Sequence, residues 1–392
     1  MINVAVVGAG AISSSHIEAY LAFPDRAQIV AVVDIYPEKA ERQVAKYALD
    51  ATVFDTHRRL LDGPPIDLVS VATPPGTHAE IEVDLLRAGF HVMGEKPMAA
   101  SLEECDAVLA AAEAGGGVLS IVAQNRFRTP MMRLKRALDS GLAGRVLHVQ
   151  VDSHWWRGHS YYDLWWRGTW ASEGGGPTLN HAVHHIDALQ WMMGSPVEVI
   201  ALMGNVAHDN AEVEDLSVAV LRFESGALGQ LTSSVVHHGE EQQLVFQAER
   251  AKIAWPWAVY ASVPRANGFP ERNTGLEDQL TEAYEGLAPL PHEGHAGQVD
   301  DVLTAIETGR PPLVDGREGR KTIEIITAIY QSCITSAPAR LPIGPGDSFY
   351  TREGLLERAP HFHEKSASVA EFSDNEITTA GRAPDRRPAA GI

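Results

Sequence analysis

Residues 174–187, GGGPTLNHAVHHID, set three glycines in front of Asn180, His181, His184, His185 and Asp187. A helix beginning near Thr178 puts Asn180 and His184 on one face at i and i+4, and makes His181 and His185 a second pair rotated about 100° from the first. Such a stretch can ligate a metal, move a proton, or do neither and simply form a polar helix face. Metal ligation needs three or four convergent ligands. Adjacent His184 and His185 point in different directions, and no HExxH or His-carboxylate triad completes a set, so no metal is expected. Proton transfer needs only one imidazole near neutral pKa and a second group at the same place.

That second group stands in GEKPM, residues 94–98, at the end of the strand-like run FHVMG. Ligands of open α/β sheets bind beyond the carboxyl ends of the strands, and proline after Lys96 presents its ammonium rigidly there. A third motif, GAGAIS at 8–13, follows an apolar strand and opens a helix. Gly8 permits a tight turn and Gly10 lets backbone approach a pyrophosphate at the helix amino terminus, with Ala11 and Ile12 continuing the turn. Ser13 replaces the third glycine of the dinucleotide fingerprint, though it is still small. The second strand ends in Asp34, at the spacing expected for an acid that binds ribose hydroxyls. Its neighbours Ile35 and Tyr36 include no arginine to receive a 2′-phosphate, so NAD is favoured over NADP.

Elements of two kinds must position these groups. From residue 1 to 125, NVAVVG, IVAVVD, DLVSVATP, FHVMGEKP and VLSIVAQN alternate with amphipathic helical stretches, which predicts βαβ units and a doubly wound parallel sheet. From 126 to 345 the runs HVQVDS, VEVIALMGNVAH, LSVAVLRFES, ALGQLTSSVVHH and LVFQAE are joined by short turns, predicting an open, mostly antiparallel sheet with a few helices. The Pro- and Gly-rich stretch from about 256 to 294 reads as irregular. Two late helices, GHAGQVDDVLTAIETG and REGRKTIEIITAIYQSCITSA, can pack on either domain. Residues 346–392 read as a polar, partly ordered tail with no part in the chemistry.

Composition agrees with this division. A chain of 392 residues, 45% of them apolar, suits two cores. With 32 basic against 51 acidic residues, a formal net charge of −19 disfavours nucleic acid and anionic membrane surfaces as partners. Cys105 and Cys333 have no CxxC spacing, which excludes a disulfide framework and thiolate zinc and fits a reducing compartment. The first residues, MINVAVVGAGAI, lack the basic region of a signal peptide, and no apolar run approaches the ~18 residues of a membrane span. A cytoplasmic protein is expected.

With these motifs in order, the sequence resembles the glucose-fructose oxidoreductase / inositol dehydrogenase / rhizopine-catabolism (Gfo/Idh/MocA) family of NAD(P)-dependent oxidoreductases. The likeness runs through VATPPGTHAE (71–80), GEKPM, QNRF (124–127), WRGTWASEGGG (166–176), LNHAVHHID and RKTIEIITAIYQS. It implies an amino-terminal Rossmann domain, a carboxy-terminal α/β domain whose open sheet carries substrate and often an oligomer contact, and a homo-oligomer. On the matched segments it implies Thr73, Pro74, His78, Glu95, Lys96 and Gln124 as cofactor contacts beside Gly8, Gly10, Ala11, Ile12 and Asp34. It also implies a catalytic set of Lys96, Asn180 and His184. Asn180 stands where many sugar and cyclitol dehydrogenases of the family have Asp, so it can orient groups but cannot titrate. His184 is then the expected general base, and Lys96 the group stabilising alkoxide charge.

SHWWRGHSYYDLWWRGTW, residues 153–170, holds five tryptophans and two tyrosines beside Arg157 and Arg167. Aromatic faces pack on the CH faces of sugar or cyclitol rings while charged groups bind hydroxyls; the same rings can equally fill an interface. Trp155, Trp156, Arg157, Tyr161, Tyr162, Trp166 and Arg167 are the substrate candidates here, with Arg126, Lys96, Asn180, His184 and His185. The expected activity is NAD-dependent oxidation of a secondary hydroxyl of a sugar, glycoside or cyclitol. The alternatives are an NAD-retaining glycosidase or lyase that oxidises its ring transiently, and a non-catalytic NAD and sugar sensor.

Overall fold

Runs of Val, Ile, Leu and Ala buried on both faces form six short strands: β1 (Ile2–Val7), β2 (Ala27–Val33), β3 (Thr52–Phe54), β4 (Leu68–Val71), β5 (His91–Gly94) and β6 (Leu119–Ile121). All pair in parallel in the order β3-β2-β1-β4-β5-β6. Parallel neighbours need crossovers, supplied by α1 (Ser13–Leu21), α2 (Pro37–Lys46), α3 (His78–Arg87) and α4 (Leu102–Gly115). Strand order reverses between β1 and β4, and a crevice opens there at the carboxyl ends. The computed structural model describes residues 1–370 and 372.

After α5 (Thr129–Asp139) comes the first strand of a second sheet, β7 (Val146–His154), then the helices α6 (Trp170–Glu173), α7 (Pro177–Asn180) and α8 (Val183–Met193). β8 (Glu198–Gly204), β9 (Leu216–Arg222), β10 (Leu228–Ser234), β11 (Gln242–Ala248), β12 (Ala251–Trp255), β13 (Ala258–Pro264) and β14 (Pro270–Arg272) follow. Next come α9 (Thr274–Glu285), α10 (Gly294–Thr308), α11 (Gly316–Thr335), β15 (Ala339–Arg340) and α12 (Arg352–Leu356). The nine strands run β14-β13-β12-β11-β7-β10-β9-β8-β15, antiparallel except for β7 against β10. In β9, Ser217, Ala219 and Leu221 are buried while Val218, Val220 and Arg222 face outward, the period of a sheet covered on one side.

The late helices join the halves. α10 packs Val299, Val302 and Leu303 into the core of α1 and β1, and Arg26 pairs with Asp300 and Glu307 across that contact. α11 lies against both sheets: a Cβ on Gly319 would stand 2.8 Å from Ile121 of β6, and Ser332 accepts a hydrogen bond from Ala201 of β8 at 3.0 Å.

Three expectations change. The stretch 256–294 is not irregular, since it contains β13, β14 and α9; Leu276, Leu280 and Tyr284 recur at i, i+4, i+8, and Asn273 caps Leu276 at 3.1 Å. The single helix expected from Thr178 is two helices, interrupted at His181 and Ala182, whose N–H groups both turn back to the Pro177 carbonyl. Residues 346–370 are no loose tail: they carry α12 and pack along the aromatic segment 159–173. Residues 371 and 373–392 of that expectation lie outside the described residues. No helix among the described residues is long and apolar enough to cross a membrane.

Candidate active site at the domain junction

Backbone builds the first half of the site. Gly8 has φ +99°, and a Cβ there would lie 2.5 Å from the Ala72 carbonyl oxygen, so only glycine fits this turn against the end of β4. A Cβ on Gly10 meets nothing within 4 Å, so open space lies over the start of α1. That helix has neither an acidic residue in its first turn nor a side-chain cap; the Ser13 and Ser15 N–H groups turn back to the Gly10 and Ile12 carbonyls, and no negative charge opposes an anion at its start. Asp34 Oδ2 accepts the Ala9 N–H at 2.8 Å and Oδ1 the Tyr36 N–H at 2.9 Å, tying the carboxylate to the glycine turn. Gln124 Oε1, just past β6, is buried without a hydrogen-bond partner among the described residues. An uncapped helix start, an open glycine, a carboxylate at the strand end and an orphaned acceptor together fit a dinucleotide.

Thr73 and Pro74 form the turn after β4, where Thr77 donates to the Pro74 carbonyl at 2.8 Å. His78, expected at the cofactor, is fully buried. Its ring nitrogens lie 2.7 Å from the Thr73 carbonyl and 2.8 Å from the Pro97 carbonyl, so it ties the Thr73 turn to the Lys96 loop.

Glu95 sets the loop from behind. Its Oε2 accepts the Lys96 N–H at 3.0 Å, and its Oε1 accepts from His16 Nε2 at 2.9 Å. The other ring nitrogen of His16 is then the acceptor for the Ser70 hydroxyl at 2.7 Å, and Tyr20 donates to Ser70 at 3.3 Å. His295 Nε2 stands 3.5 Å from Glu95 Oε1. Burial pushes the Glu95 carboxyl up, but the hydrogen bond from His16, the approach of His295 and the charge of Lys96 outweigh it and hold the group well below the usual carboxylate range. The ligating atoms of His16, Glu95 and His295 lie within 4.8 Å of one another, a grouping of metal-ligand types that no sequence spacing reveals. The hydrogen bonds on both nitrogens of His16 account for it without an ion.

Lys96 and His184 reach one small interior cavity, closed by Met98, Ile121 and Val122 on one side and by Gly319, Thr322 and Ile323 of α11 on the other. Lys96 Nζ donates to the backbone carbonyl of Asn180 at 3.2 Å. The break between α7 and α8 makes this possible, because a carbonyl at a helix end has no intrahelical partner. The Asn180 amide instead donates to the Gly175 carbonyl at 2.8 Å and the Gly176 carbonyl at 3.3 Å, so the side chain orders the glycine turn and does not hold Lys96. Burial, and then the nearby charge of Arg167, lower the Lys96 ammonium against the opposing pull of Glu95. Burial, then Lys96 and His185, hold the His184 imidazole well below its ordinary range. His184 is therefore neutral near pH 7 and able to accept a proton.

Sterics explain the second and third glycines. A Cβ on Gly175 would fall 2.1 Å from the Tyr330 hydroxyl, and one on Gly176 1.9 Å from the Glu214 carbonyl oxygen. Glu214 accepts the N–H groups of Gly176 and Thr178 and the Tyr330 hydroxyl, at 3.0, 3.1 and 2.9 Å. Burial nevertheless raises its carboxyl to about 7.

The aromatic segment is divided between pocket and core. His181, not among the expected site residues, stacks obliquely on Trp155 and Tyr161, with the Tyr161 hydroxyl 3.4 Å from Nε2 and Nδ1 buried without a partner. Arg167 lies 4.1 Å over the rings of both Tyr161 and Trp166 and pairs with buried Glu173 at 2.8 Å. Arg157 pairs with Glu240 at 2.5 Å and lies over Trp155. Trp156 is exposed and stacks on His238 at the rim.

Three expected substrate contacts turn inward. Tyr162 is buried edge-on against His208. His185 Nδ1 hydrogen-bonds Ser153 at 2.8 Å, and burial, with His154 nearby, lowers its ring to about 4. Arg126 is 1% exposed, with its guanidinium on Asp187, Glu318 and Gln190; it locks α8 to α11.

Residues 2–122 match the family described as an oxidoreductase family with an NAD-binding Rossmann fold, and residues 131–254 match the GFO/IDH/MocA C-terminal domain. The crystal structure of the WlbA dehydrogenase from Bordetella pertussis in complex with NADH and UDP-GlcNAcA is 30% identical and aligns at a TM-score of 0.77, over 88% of this chain and 98% of that one. Myo-inositol 2-dehydrogenase of Thermotoga maritima is 24% identical over 82% of this chain and 93% of its own length. Levoglucosan dehydrogenase of Pseudarthrobacter phenanthrenivorans is 27% identical over 63% and 70%. Residues 2–122 thus form an NAD-binding Rossmann domain, and the chain belongs to the Gfo/Idh/MocA family of NAD-dependent oxidoreductases acting on CH–OH groups.

Proposed function

We propose that this protein oxidises a secondary hydroxyl of a sugar, glycoside or cyclitol to a ketone. The observation that carries the proposal is the approach of Lys96, which follows β5 of the first domain, to the break between α7 and α8 of the second, where its ammonium donates to the Asn180 carbonyl and its charge acts on the His184 imidazole. Gly8, Gly10, Ala11, Ile12, Asp34, Thr73, Pro74 and Gln124 are the residues that would hold NAD, whose nicotinamide accepts hydride when bound. His184, neutral at working pH, takes the hydroxyl proton; the Lys96 ammonium, fixed between the Glu95 loop and the Asn180 carbonyl, stabilises the alkoxide charge that develops. Trp155, Tyr161, Arg157, Arg167 and His181 form the wall against which the ring packs, and Trp156 and Trp166 frame it. The relatives named for myo-inositol and levoglucosan support a cyclic polyol as substrate.

The test is NADH formation from NAD over a panel of myo-inositol, levoglucosan and alkyl glucosides. Turnover of at least one member, abolished by Lys96→Met and by His184→Asn, is the expected result. Absence of NADH with every member, or an undiminished His184→Asn enzyme, refutes it. The outer face of the second sheet places Ile200 beside Val220 and Leu202 beside Val218, all exposed. We expect this face to pair copies of the chain, which light scattering tests.

A further inference from the structure

Segment 155–169 has little structure of its own beyond one short helical turn at His159–Asp163 and a bridge between Trp156 and Val236. A run of this kind holds one conformation only when contacts from elsewhere offset its conformational entropy. Residues 234–240 hold its start and Glu173 and Glu212 its end, while residues 360–369, beyond the last residue matched by either family domain, hold its middle. The Pro360 carbonyl accepts from Trp170 Nε1 at 2.8 Å, and the Phe362 N–H donates to the Glu212 carbonyl at 3.1 Å. Lys365 Nζ donates to the Tyr162 carbonyl. Asn210 Oδ1 accepts the Ser366 and Ala367 N–H groups at 2.7 and 2.8 Å, and its amide donates to Asp163 at 2.7 Å. Val369 completes the set: its N–H donates to the Asp163 carbonyl at 2.7 Å, and its carbonyl accepts from Trp165 at 2.9 Å.

We infer that residues 360–369 are a specificity-setting strap that fixes Tyr161, Trp166 and Arg167 over the substrate pocket. Tyr161 and Arg167 sit directly beside the strapped residues; Tyr161 reaches His181 in the pocket wall, and Arg167 is anchored on buried Glu173. The strap touches none of the residues assigned to NAD or to proton transfer, so it positions the substrate ring and leaves the chemistry alone. This inference rests on the proposed oxidation of a cyclic polyol.

The test uses full-length Val369→Pro, which removes the donor to Asp163, and Lys365→Met, with Lys365→Arg as rescue. For the panel sugar oxidised fastest, KM should rise roughly tenfold and kcat change less than about threefold, with NAD affinity unaltered. Amide hydrogen exchange across residues 159–167, measured with NAD and without sugar, should quicken in Val369→Pro and in Lys365→Met and recover in Lys365→Arg. Unchanged exchange in folded Val369→Pro overturns the strap whether or not any sugar is oxidised. Faster exchange with an unmoved KM overturns its role in specificity. Failure of the unmodified chain to oxidise any panel member defeats the functional reading instead, and exchange alone then decides the strap.

Discussion

Two groups of ionisable side chains meet at Lys96, and they differ in one respect. Behind it, Glu95, His16, Ser70 and Tyr20 form a chain in which each of these four has a partner, with His295 Nε2 at its edge the one atom left unbonded among the described residues. In front, the His184 ring and Nδ1 of His181 have no hydrogen-bond partner among the described residues, and Lys96 has a single backbone acceptor. A buried polar network with every member satisfied is rigid, whereas unpaired donors and acceptors carry a standing desolvation cost that a ligand can relieve. The first group therefore fixes geometry, and the second faces the reactants. The same division separates Arg126, saturated by Asp187, Glu318 and Gln190, from Lys96, although both cations were candidates to touch substrate.

The largest expected effect falls on the unpaired group: Lys96→Met should lower kcat/KM about a thousandfold or more, and His184→Asn roughly a hundred- to ten-thousandfold, with NAD affinity kept. Steady-state kinetics and NAD titration check this. Glu95→Gln removes no reacting atom but loosens the loop, so its loss should be smaller, about ten- to a hundredfold; a loss equal to that of Lys96→Met erases the distinction between the two groups. Arg126→Met leaves Asp187 buried and unpaired and should destabilise by about 3–5 kcal/mol in denaturant unfolding. A stable Arg126→Met enzyme with only a raised KM would restore it to the pocket.

The pH responses are subtler. Because the His184 pKa is depressed, the acid limb of kcat/KM should lie below the ordinary 6.5, and a limb above that value removes His184 as base. Glu214 is paired, yet burial raises its carboxyl. Its folded pKa, about 7, exceeds the unfolded 4.5, so the folded state holds an extra proton between these values. Its contribution is complete below the unfolded pKa and lost as pH rises through 7. Relative to Glu214→Gln, the thermal midpoint should drop by several degrees from about pH 5 to about pH 8.

Much of this was legible where chemistry follows from spacing along one chain segment. Gly8, Gly10 and Asp34 belong to one βαβ unit, and Lys96 ends the strand that feeds the same crevice. The strands of the second sheet were legible as strand-like runs joined by short turns, while the period-two alternation of β9 appears only in its burial. Partnerships that form only in three dimensions left no such trace. His295 joins Glu95 from 200 residues away, and nothing around either predicts it. Arg126 read as a pocket cation because its carboxylate partners lie on α8 and α11. The cap at Asn273 and the i, i+4, i+8 pattern of α9 were visible in principle, but the glycines and prolines before it masked them. The break at His181 is set by Pro177 accepting two N–H groups, a detail below the resolution of helix periodicity.

Because the ammonium of Lys96 rests on a main-chain oxygen, its anchorage is indifferent to the identity of residue 180. Asparagine can therefore replace a titratable aspartate there while the cation keeps its seat. What changes is only the neighbourhood's charge and the tether to the glycines, leaving position 180 a place where the electrostatics of the site can be retuned without moving its working parts.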